Sequence, residues 1–246
     1  MAELTPGVLE VDVEHIVVKG PDGALVDAIH ARPDGMPHSG LVVHPDLMGV
    51  RPLFDDLCRR LATHGFAVCC PEPFARAAVE VRAAEDPAVR MAHVAELDDD
   101  LQIGDLEASA DYLVVHDDVR EVAVLGFCIG GMQALKAAAT GRFDRAVAFY
   151  GMVVPPPSWV GAATRRPLDT AAEVCPTLAV FGGRDEWTPA ADVEALRAAW
   201  ASRPDCVIVE YPDAEHGFVH APERPTHRPD DAADAWQRVL AFLRPQ

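Results

Sequence analysis

Residues 122–133 read Val-Ala-Val-Leu-Gly-Phe-Cys-Ile-Gly-Gly-Met-Gln, an apolar run that ends in Gly-x-Cys-x-Gly-Gly. The pattern predicts a strand, a sharp turn and a helix, with Cys128 at the apex of the turn. Gly126 and Gly130 leave the room that a strand and a helix need where they approach closely. The turn also places the sulfur at a helix N-terminus, where the helix dipole favours the reactive thiolate. We therefore predict that Cys128 is a nucleophile; the alternative is an inert cysteine on a glycine-rich turn of a nucleotide-binding fold.

Composition limits the classes of function that the chain can serve. Half of the 246 residues are hydrophobic, which is enough for a sizeable core. The formal net charge of -18 argues against binding to nucleic acids or to anionic membrane surfaces, since both attract basic patches. The six cysteines form no CxxC pair, and no Cys/His spacing is typical of a zinc site. Without an N-terminal signal region or a membrane-spanning apolar stretch, we expect a cytoplasmic protein with reduced thiols.

The order of the predicted elements indicates an α/β fold. Two β-like runs over residues 11–17 and 24–31 predict an antiparallel hairpin at the start of the sheet. A strand at 41–44, a helix at 53–63 and a strand at 66–70 form a βαβ unit, which favours a parallel sheet. Further strands are predicted at 121–125, 145–149, 177–181 and 206–211, and further helices at 105–115, 190–201 and 230–243.

These elements predict a mostly parallel central sheet with an N-terminal antiparallel hairpin and helices on both faces. Neither an internal repeat nor a break in composition marks a second domain, so we expect one domain over residues 1–246. The least regular stretch is 71–100, with helical pieces near 88–97. It is interpreted either as a rim or cap over a site or as a plain surface connection.

The candidate catalytic residues follow predicted strands. In parallel α/β sheets, functional side chains gather in loops at the carboxyl ends of the strands. Cys128, Asp185 and His216 all lie in such loops, and we expect these loops to open on the same edge of the sheet. Their order along the chain is the nucleophile, acid and base order of α/β-hydrolases. Glu186 is a rival acid, and a helix-capping or turn role is the alternative for Asp185.

The sequence resembles the dienelactone hydrolase (carboxymethylenebutenolidase) family of α/β-hydrolases. The resemblance extends over nearly the whole chain, from about residue 41 to residue 243. It rests on four motifs: His-Pro-Asp-Leu-Met-Gly-Val at 44–50, Gly-Phe-Cys-Ile-Gly-Gly at 126–131, Gly-Gly-Arg-Asp at 182–185 and Glu-His-Gly-Phe at 215–218.

The resemblance implies a mechanism and a role for each site residue. Cys128 attacks a lactone or ester carbonyl, His216 acts as the base and then as the proton donor, and Asp185 orients the imidazole. An acyl-thioester forms, and water hydrolyses it. The backbone N–H groups of Leu47 and Ile129 stabilise the tetrahedral oxyanion. The family implies no metal and no organic cofactor, because the triad and the oxyanion hole suffice for acyl transfer.

The sequence departs from the family pattern at two positions. Asp46 occupies the place of a glutamate that interacts with the resting thiol, and its side chain is one methylene shorter. His220 occupies the place of an arginine, four residues after the catalytic histidine, that holds the substrate carboxylate. We take His220, and Arg90 in the irregular stretch, as the candidate substrate-binding residues.

We therefore predict a hydrolase that cleaves a dienelactone-like lactone or a carboxylic ester through a Cys-His-Asp triad. Two alternatives are a general esterase or lactonase with an unrelated substrate, and a catalytically weak binding protein with this fold. A class I glutamine amidotransferase shares the Gly-x-Cys-x-Gly pattern, but no His-x-Glu pair follows Cys128. The expected partner is a small ester or lactone substrate. We expect the chain to bind neither nucleic acid nor a membrane surface.

Overall fold

The computed structural model describes residues 4–244, and within them it contains eight β-strands and seven α-helices. The strands are β1 (Val11–Lys19), β2 (Leu25–Pro33), β3 (Ser39–His44), β4 (Phe66–Pro71), β5 (Val122–Phe127), β6 (Arg145–Phe149), β7 (Thr177–Gly182) and β8 (Cys206–Tyr211). The helices are α1 (Pro52–Ala62), α2 (Val79–Arg82), α3 (Pro87–Met91), α4 (Asp99–Asp117), α5 (Ile129–Ala137), α6 (Ala190–Ala199) and α7 (Pro229–Leu243). Short 3-10 helices cover Val94–Glu96, Pro157–Trp159 and Pro167–Glu173.

The strands form one sheet in the order β1-β2-β4-β3-β5-β6-β7-β8. The pairs β1–β2 and β2–β4 are antiparallel, and every later pair is parallel. This confirms the predicted hairpin and the mostly parallel sheet. The carboxyl ends of β3, β5, β7 and β8 therefore lie along the same edge, so the loops that follow them can share one site.

Two hydrophobic layers cover the sheet. Helices α1 and α7 pack on one face, and α4, α5 and α6 pack on the other, as predicted. Along β5, Ala123, Leu125 and Phe127 join the first layer, while Val122 and Val124 join the second. This alternation follows from the two-residue period of a strand, and burial on both faces explains why the run is continuously apolar. Among residues 4–244, no helix combines the length and apolar character needed to cross a bilayer.

Helix α4 begins at Asp99, six residues before its predicted start. Asp98 caps the helix, because its side chain accepts hydrogen bonds from the backbone N–H groups of Asp100 and Leu101 at 2.8 and 3.3 Å. Asp99 itself is buried and forms an ion pair with the buried Lys136 of α5, with Nζ–oxygen distances of 2.8 and 2.9 Å. The pair joins the first turn of α4 to the helix that follows Cys128.

The irregular stretch 71–100 packs over the carboxyl edge of the sheet. Its short helices α2 and α3 carry Val81 and Arg90, which are buried. Phe74, Val81 and Val94 belong to an apolar cluster that also contains Leu47 and Ile129. Cys128 is partly buried and packs against this cluster. The stretch therefore contributes apolar side chains beside the predicted nucleophile.

Cys128 is held in a conformation that is rare for a residue with a side chain. Its φ is 59° and its ψ is -120°, and it forms the N-cap of α5. A Cβ on Gly126 would lie 1.9 Å from the carbonyl oxygen of Gly130, and a Cβ on Gly130 would lie 2.3 Å from that of His44. The glycines on either side of Cys128 are thus required by backbone atoms, as the sequence pattern predicted.

Replacing Gly126 with alanine tests this constraint. We expect Gly126→Ala to lower the free energy of unfolding by about 3 kcal/mol or more, because backbone atoms must separate to admit the methyl group. Urea unfolding followed by circular dichroism measures the change. Gly35→Ala is the control: nothing lies within 4 Å of its added Cβ, and its positive φ should cost about 1 kcal/mol. Equal losses in the two variants would contradict the steric argument.

Candidate active site

Asp185 and His216 are brought together by the loops after β7 and β8. His216 Nδ1 lies 2.8 Å from Asp185 Oδ2, and the Asp185 carboxylate is buried. The other carboxylate oxygen accepts a hydrogen bond from the backbone N–H of Trp187 at 2.8 Å. The backbone N–H of Arg184 donates to the carbonyl of Ala214 at 2.9 Å, which fastens one loop to the other. An imidazole oriented in this way presents Nε2 to its surroundings.

The Nε2 atom of His216 is buried and faces Cys128. No hydrogen bond of standard geometry within residues 4–244 pairs this nitrogen, and Cys128 is the neighbouring group that does most to raise the pKa of the ring. Burial lowers the pKa of His216, but the neighbouring Cys128 and the hydrogen bond to Asp185 outweigh it and raise the pKa to about 10. The arrangement therefore places a basic imidazole beside the sulfur of Cys128, which suits proton transfer from a thiol nucleophile.

Two backbone donors flank Cys128. Ile129 is the first residue of α5, where the N–H has no intrahelical acceptor. Leu47 lies in the turn after β3, and its side chain packs in the same apolar cluster as Ile129. Within the described residues, no protein oxygen accepts a hydrogen bond from either N–H. Both groups are therefore available to an oxyanion.

Asp46 is the centre of a buried polar network. Its carboxylate accepts two hydrogen bonds from the Arg51 guanidinium, at 2.6 and 2.8 Å, and one from His220 Nε2 at 2.8 Å. Its Oδ1 also accepts from the backbone N–H of Met48 at 3.0 Å. Against the opposing effect of burial, His220 and Arg51 hold the pKa of Asp46 far below its usual range. These contacts fix the loop that carries Leu47, and the expected interaction of Asp46 with the resting thiol stays a prediction.

His220, expected to bind substrate, is fully buried. Its Nε2 donates to Asp46, and its Nδ1 accepts from the Tyr150 hydroxyl. Burial lowers the pKa of His220 despite the hydrogen bond to Asp46, so the ring is neutral. Both ring nitrogens are occupied, and no part of the ring is open to a ligand. His220 lies beneath the site as a structural link between Asp46 and Tyr150.

Arg90 is also committed to a structural contact. It is 4% exposed, and its Nη1 donates to Glu72 Oε1 at 3.0 Å. Glu72 in turn accepts from the backbone N–H of Val50 at 2.8 Å and that of Phe74 at 3.1 Å. The charge of Arg90 is therefore compensated within the loop framework. Its expected role as the partner of a substrate carboxylate has no support in this arrangement.

Three residues that the sequence analysis did not select lie at the site. Tyr150 directly follows β6 with a φ of 39°, and its ring lies edge-on to that of His216 at a centroid distance of 5.0 Å. The Trp187 ring is 6.3 Å from that of His216. Arg224 Nη2 lies 3.6 Å from Asp46 Oδ2. Tyr150 and Trp187 could have been selected because each follows a parallel strand at the same edge, whereas no local pattern marks Arg224.

The cysteines differ in their surroundings. Burial raises the pKa of the Cys69 thiol to about 12 and that of Cys175 to about 11. The pKa values of Cys70 and Cys206 are raised by burial as well. Cys128 is partly exposed, as are Cys175 and Cys206, and it faces the His216 imidazole. Of these thiols, Cys128 has the environment of a nucleophile.

The ionisable groups of the site pair with one another and do not converge on a common point. Asp185 pairs with His216, Asp46 with His220 and Arg51, and Glu72 with Arg90. Within the part of the chain that the structure describes, no group of three or more His, Cys, Asp or Glu side chains is arranged to hold a metal ion.

The fold and the turn at Cys128 define the chain as an α/β-hydrolase. A model of the dienelactone hydrolase family matches residues 26–246, and the chain belongs to this family. An Escherichia coli (strain K12) protein provisionally named a carboxymethylenebutenolidase is 32% identical over 93% of this chain and 90% of its own. A carboxymethylenebutenolidase of Rhodococcus opacus is 30% identical over 89% of this chain and 85% of its own.

A solved structure from Klebsiella pneumoniae, provisionally described as a dienelactone hydrolase, superposes with a TM-score of 0.85 at 29% identity. It covers 95% of this chain, and 98% of that chain is matched. Together with the family match, these relatives identify the chain as a hydrolase of the ester or lactone type.

The charge coupling between Cys128 and His216 can be measured directly. We expect the His216 imidazole to titrate with a pKa of about 10 and to lose its proton as the pH rises through that value. Cys128→Ala removes the sulfur that raises this pKa, so burial weighs more and the pKa of His216 falls. NMR of the histidine ring nitrogens over a pH series measures both values. Cys206→Ala, remote on β8, is the control, and an unchanged His216 pKa in Cys128→Ala would contradict the coupling.

Breaking the buried network at Asp46 should be costly. We expect Asp46→Asn to lower the free energy of unfolding at pH 7 by about 3 kcal/mol, because it leaves the Arg51 charge without its carboxylate. The depressed pKa of Asp46 means that its stabilisation is complete at pH 7 and is lost only below about pH 4. Asp213→Asn breaks an exposed pair with Arg184 and should change stability by less than about 0.5 kcal/mol. Similar losses in the two variants, measured by chemical denaturation, would argue against the network.

Proposed function

We propose that the chain hydrolyses a carboxylic ester or lactone through Cys128, His216 and Asp185 by way of an acyl-thioester. The observation that carries the proposal is the hydrogen bond between Asp185 Oδ2 and His216 Nδ1, in an imidazole whose pKa is raised by the neighbouring Cys128. This is the nucleophile, base and orienter arrangement of acyl-transfer enzymes. The three residues come from the separate loops after β5, β7 and β8.

In the first half-reaction the Cys128 thiolate attacks the carbonyl carbon and forms a C–S bond. The carbonyl oxygen becomes an oxyanion, which accepts hydrogen bonds from the N–H groups of Leu47 and Ile129. Preorganised donors of this kind contribute about 3 kcal/mol each to the transition state. The C–O bond then breaks, and the leaving oxygen takes the proton from the His216 imidazolium. In a lactone this oxygen stays attached to the acyl chain.

In the second half-reaction water hydrolyses the thioester. Neutral His216 removes a proton from water as the oxygen attacks the carbonyl carbon, and the same two N–H groups stabilise the second oxyanion. The C–S bond breaks, the thiolate leaves and the carboxylic acid is released. The hydrogen bond from His216 to Asp185 stabilises the imidazolium in both steps, because it keeps Nδ1 as a donor.

The Asp46 network serves the reaction indirectly. It holds the turn after β3, and with it the N–H of Leu47, through contacts with Arg51 and His220. We further propose that the stretch 71–100 forms a rim over the site, since its apolar side chains share a cluster with Leu47 and Ile129. The rim reduces the access of water to the acyl-enzyme.

A dienelactone-like substrate is the first candidate because of the family to which the chain belongs. A specific observation favours the second candidate, an ester or lactone without a carboxylate. Arg90 is bound to Glu72, and His220 is buried, so the two expected partners of a substrate carboxylate are not accessible. The wall beside Cys128 is apolar, with Leu47, Phe74 and Trp159 in one cluster. Such a wall suits a neutral acyl group.

Mass spectrometry after brief exposure to substrate tests the nucleophile. With p-nitrophenyl acetate we expect a transient acetyl adduct on Cys128 and steady release of product, and none with Cys128→Ala. A parallel exposure to a dienelactone decides between the two substrate candidates by the relative rates of turnover. Cys175→Ala is a matched control that should keep the adduct, since burial makes that thiol unreactive. Equal turnover by the parent and Cys128→Ala would refute the proposed mechanism.

A further inference from the structure

A cleft lined by one tryptophan and several prolines lies near the site, since the ring of its Trp187 is 6.3 Å from that of His216. Its cavity is about 440 Å³ in volume, and its floor and walls are the Pro155–Pro157 segment, Trp187 and Pro189. Trp187 is 38% exposed, which is unusual for a side chain of this size beside a buried site. Its indole ring is open on the side of the cleft. The mechanism above does not use this surface.

Trp187 is held in place by a second tryptophan, Trp159, which lies behind the cleft. The Trp187 ring stacks on that of Trp159 with a centroid distance of 5.3 Å and an angle of 28°. Trp159 is buried, and its Nε1 donates to the sulfur of Met91 at 3.0 Å. The backbone N–H of Trp187 donates to Asp185. A ring fixed before binding offers stacking area with little loss of conformational entropy.

The position of Trp187 relates the cleft to a particular half of the substrate. Its ring centroid is 6.3 Å from that of His216, the residue that returns a proton to the leaving oxygen. The alcohol part of an ester must therefore lie on the side of His216. The apolar cluster around Leu47 and Phe74 lies at Ile129 and Cys128 and faces the acyl part. The cleft is thus placed to receive the group that departs.

The charged side chains at the cleft limit the charge that the departing alcohol can carry. Glu186 and Asp192 line it together with the prolines and Trp187, and no arginine or lysine is among the lining residues that the structure describes. Two carboxylates repel an anionic ring and attract a cationic one. A positive group over an indole face gains further from cation–π attraction.

We infer that the cleft of Trp187 and Pro155–Pro157 binds the aromatic ring of a neutral or cationic alcohol, the leaving group of an aryl ester. The inference rests on the proposed function, because it names the alcohol half of the ester that Cys128 cleaves. Trp187 is the specificity-determining residue, and Glu186 sets the preference for charge. The ring stacks on Trp187 while its oxygen faces His216 Nε2.

Binding of small aromatic probes tests the cleft without reference to catalysis. We expect phenyltrimethylammonium to bind the parent protein and benzoate to bind about fivefold more weakly, by calorimetry and tryptophan fluorescence. Trp187→Ala should weaken phenyltrimethylammonium binding about fivefold to tenfold, and Trp187→Phe should recover part of the loss. Val115→Ala, an exposed apolar change on α4, should leave binding unchanged. Unaltered binding in Trp187→Ala, or a preference for benzoate, would overturn the inference.

Kinetics with acetate esters tests the link to the leaving group. Phenyl acetate and ethyl acetate form the same acetyl-enzyme, so the ratio of their kcat/KM values reports the alcohol half alone. We expect Trp187→Ala to reduce kcat/KM for phenyl acetate about tenfold and for ethyl acetate less than about twofold. Glu186→Gln should improve 3-carboxyphenyl acetate relative to phenyl acetate.

The outcomes separate this inference from the proposed function. Equal reductions for the two acetates in Trp187→Ala would overturn the inference and leave the nucleophile assignment intact. Absence of an acyl adduct on Cys128 would refute the proposed function. The binding of phenyltrimethylammonium and benzoate would then show only whether the cleft binds aromatic rings.

Discussion

The left-handed turn at Cys128 is the constraint on which the rest of the site depends. A φ of 59° turns the chain from β5 into α5 within one residue, so the sulfur and the N–H of Ile129 emerge at the same point. The turn closes only because Gly130 lies against the carbonyl oxygens of His44 and Pro45. That contact also fixes the start of the loop that carries Leu47. One backbone arrangement thus positions the nucleophile and both candidate oxyanion donors.

Paired charges beneath the site also stabilise the loops that form it. The chain carries a large negative charge overall, yet each buried carboxylate near Cys128 has a cationic or imidazole partner. Pairing of this kind offsets the cost of burying an ion and keeps a local negative potential from opposing the thiolate. Asp46 illustrates the principle, because Arg51 and His220 together hold its carboxylate ionised. The network stabilises the loop after β3, and the loop in turn fixes the position of the Leu47 N–H.

Much of the fold and part of the site could be predicted from the sequence. Cys128, Asp185 and His216 could be selected because each lies in the loop after a strand of a parallel sheet, and the edge where such strands end is fixed by topology. The helix boundary at Asp99 was missed because a cap depends on one side chain, that of Asp98, and not on periodicity. The contacts of Asp46, His220 and Arg90 could not be predicted from the sequence because their partners are set by tertiary packing. Asp46 and His220, for example, are 174 positions apart.

The contrast among the cysteines has a practical consequence. Burial raises the pKa values of the Cys69, Cys70 and Cys175 thiols, whereas Cys128 lies beside an imidazole. We therefore expect an electrophile at neutral pH to modify Cys128 ahead of these three thiols. The proposed nucleophile is then also the expected attachment point for fluorophores, affinity tags or solid supports. The same selectivity makes that sulfur the first to suffer from peroxide, so exposure to oxidants should end function well before it unfolds the chain.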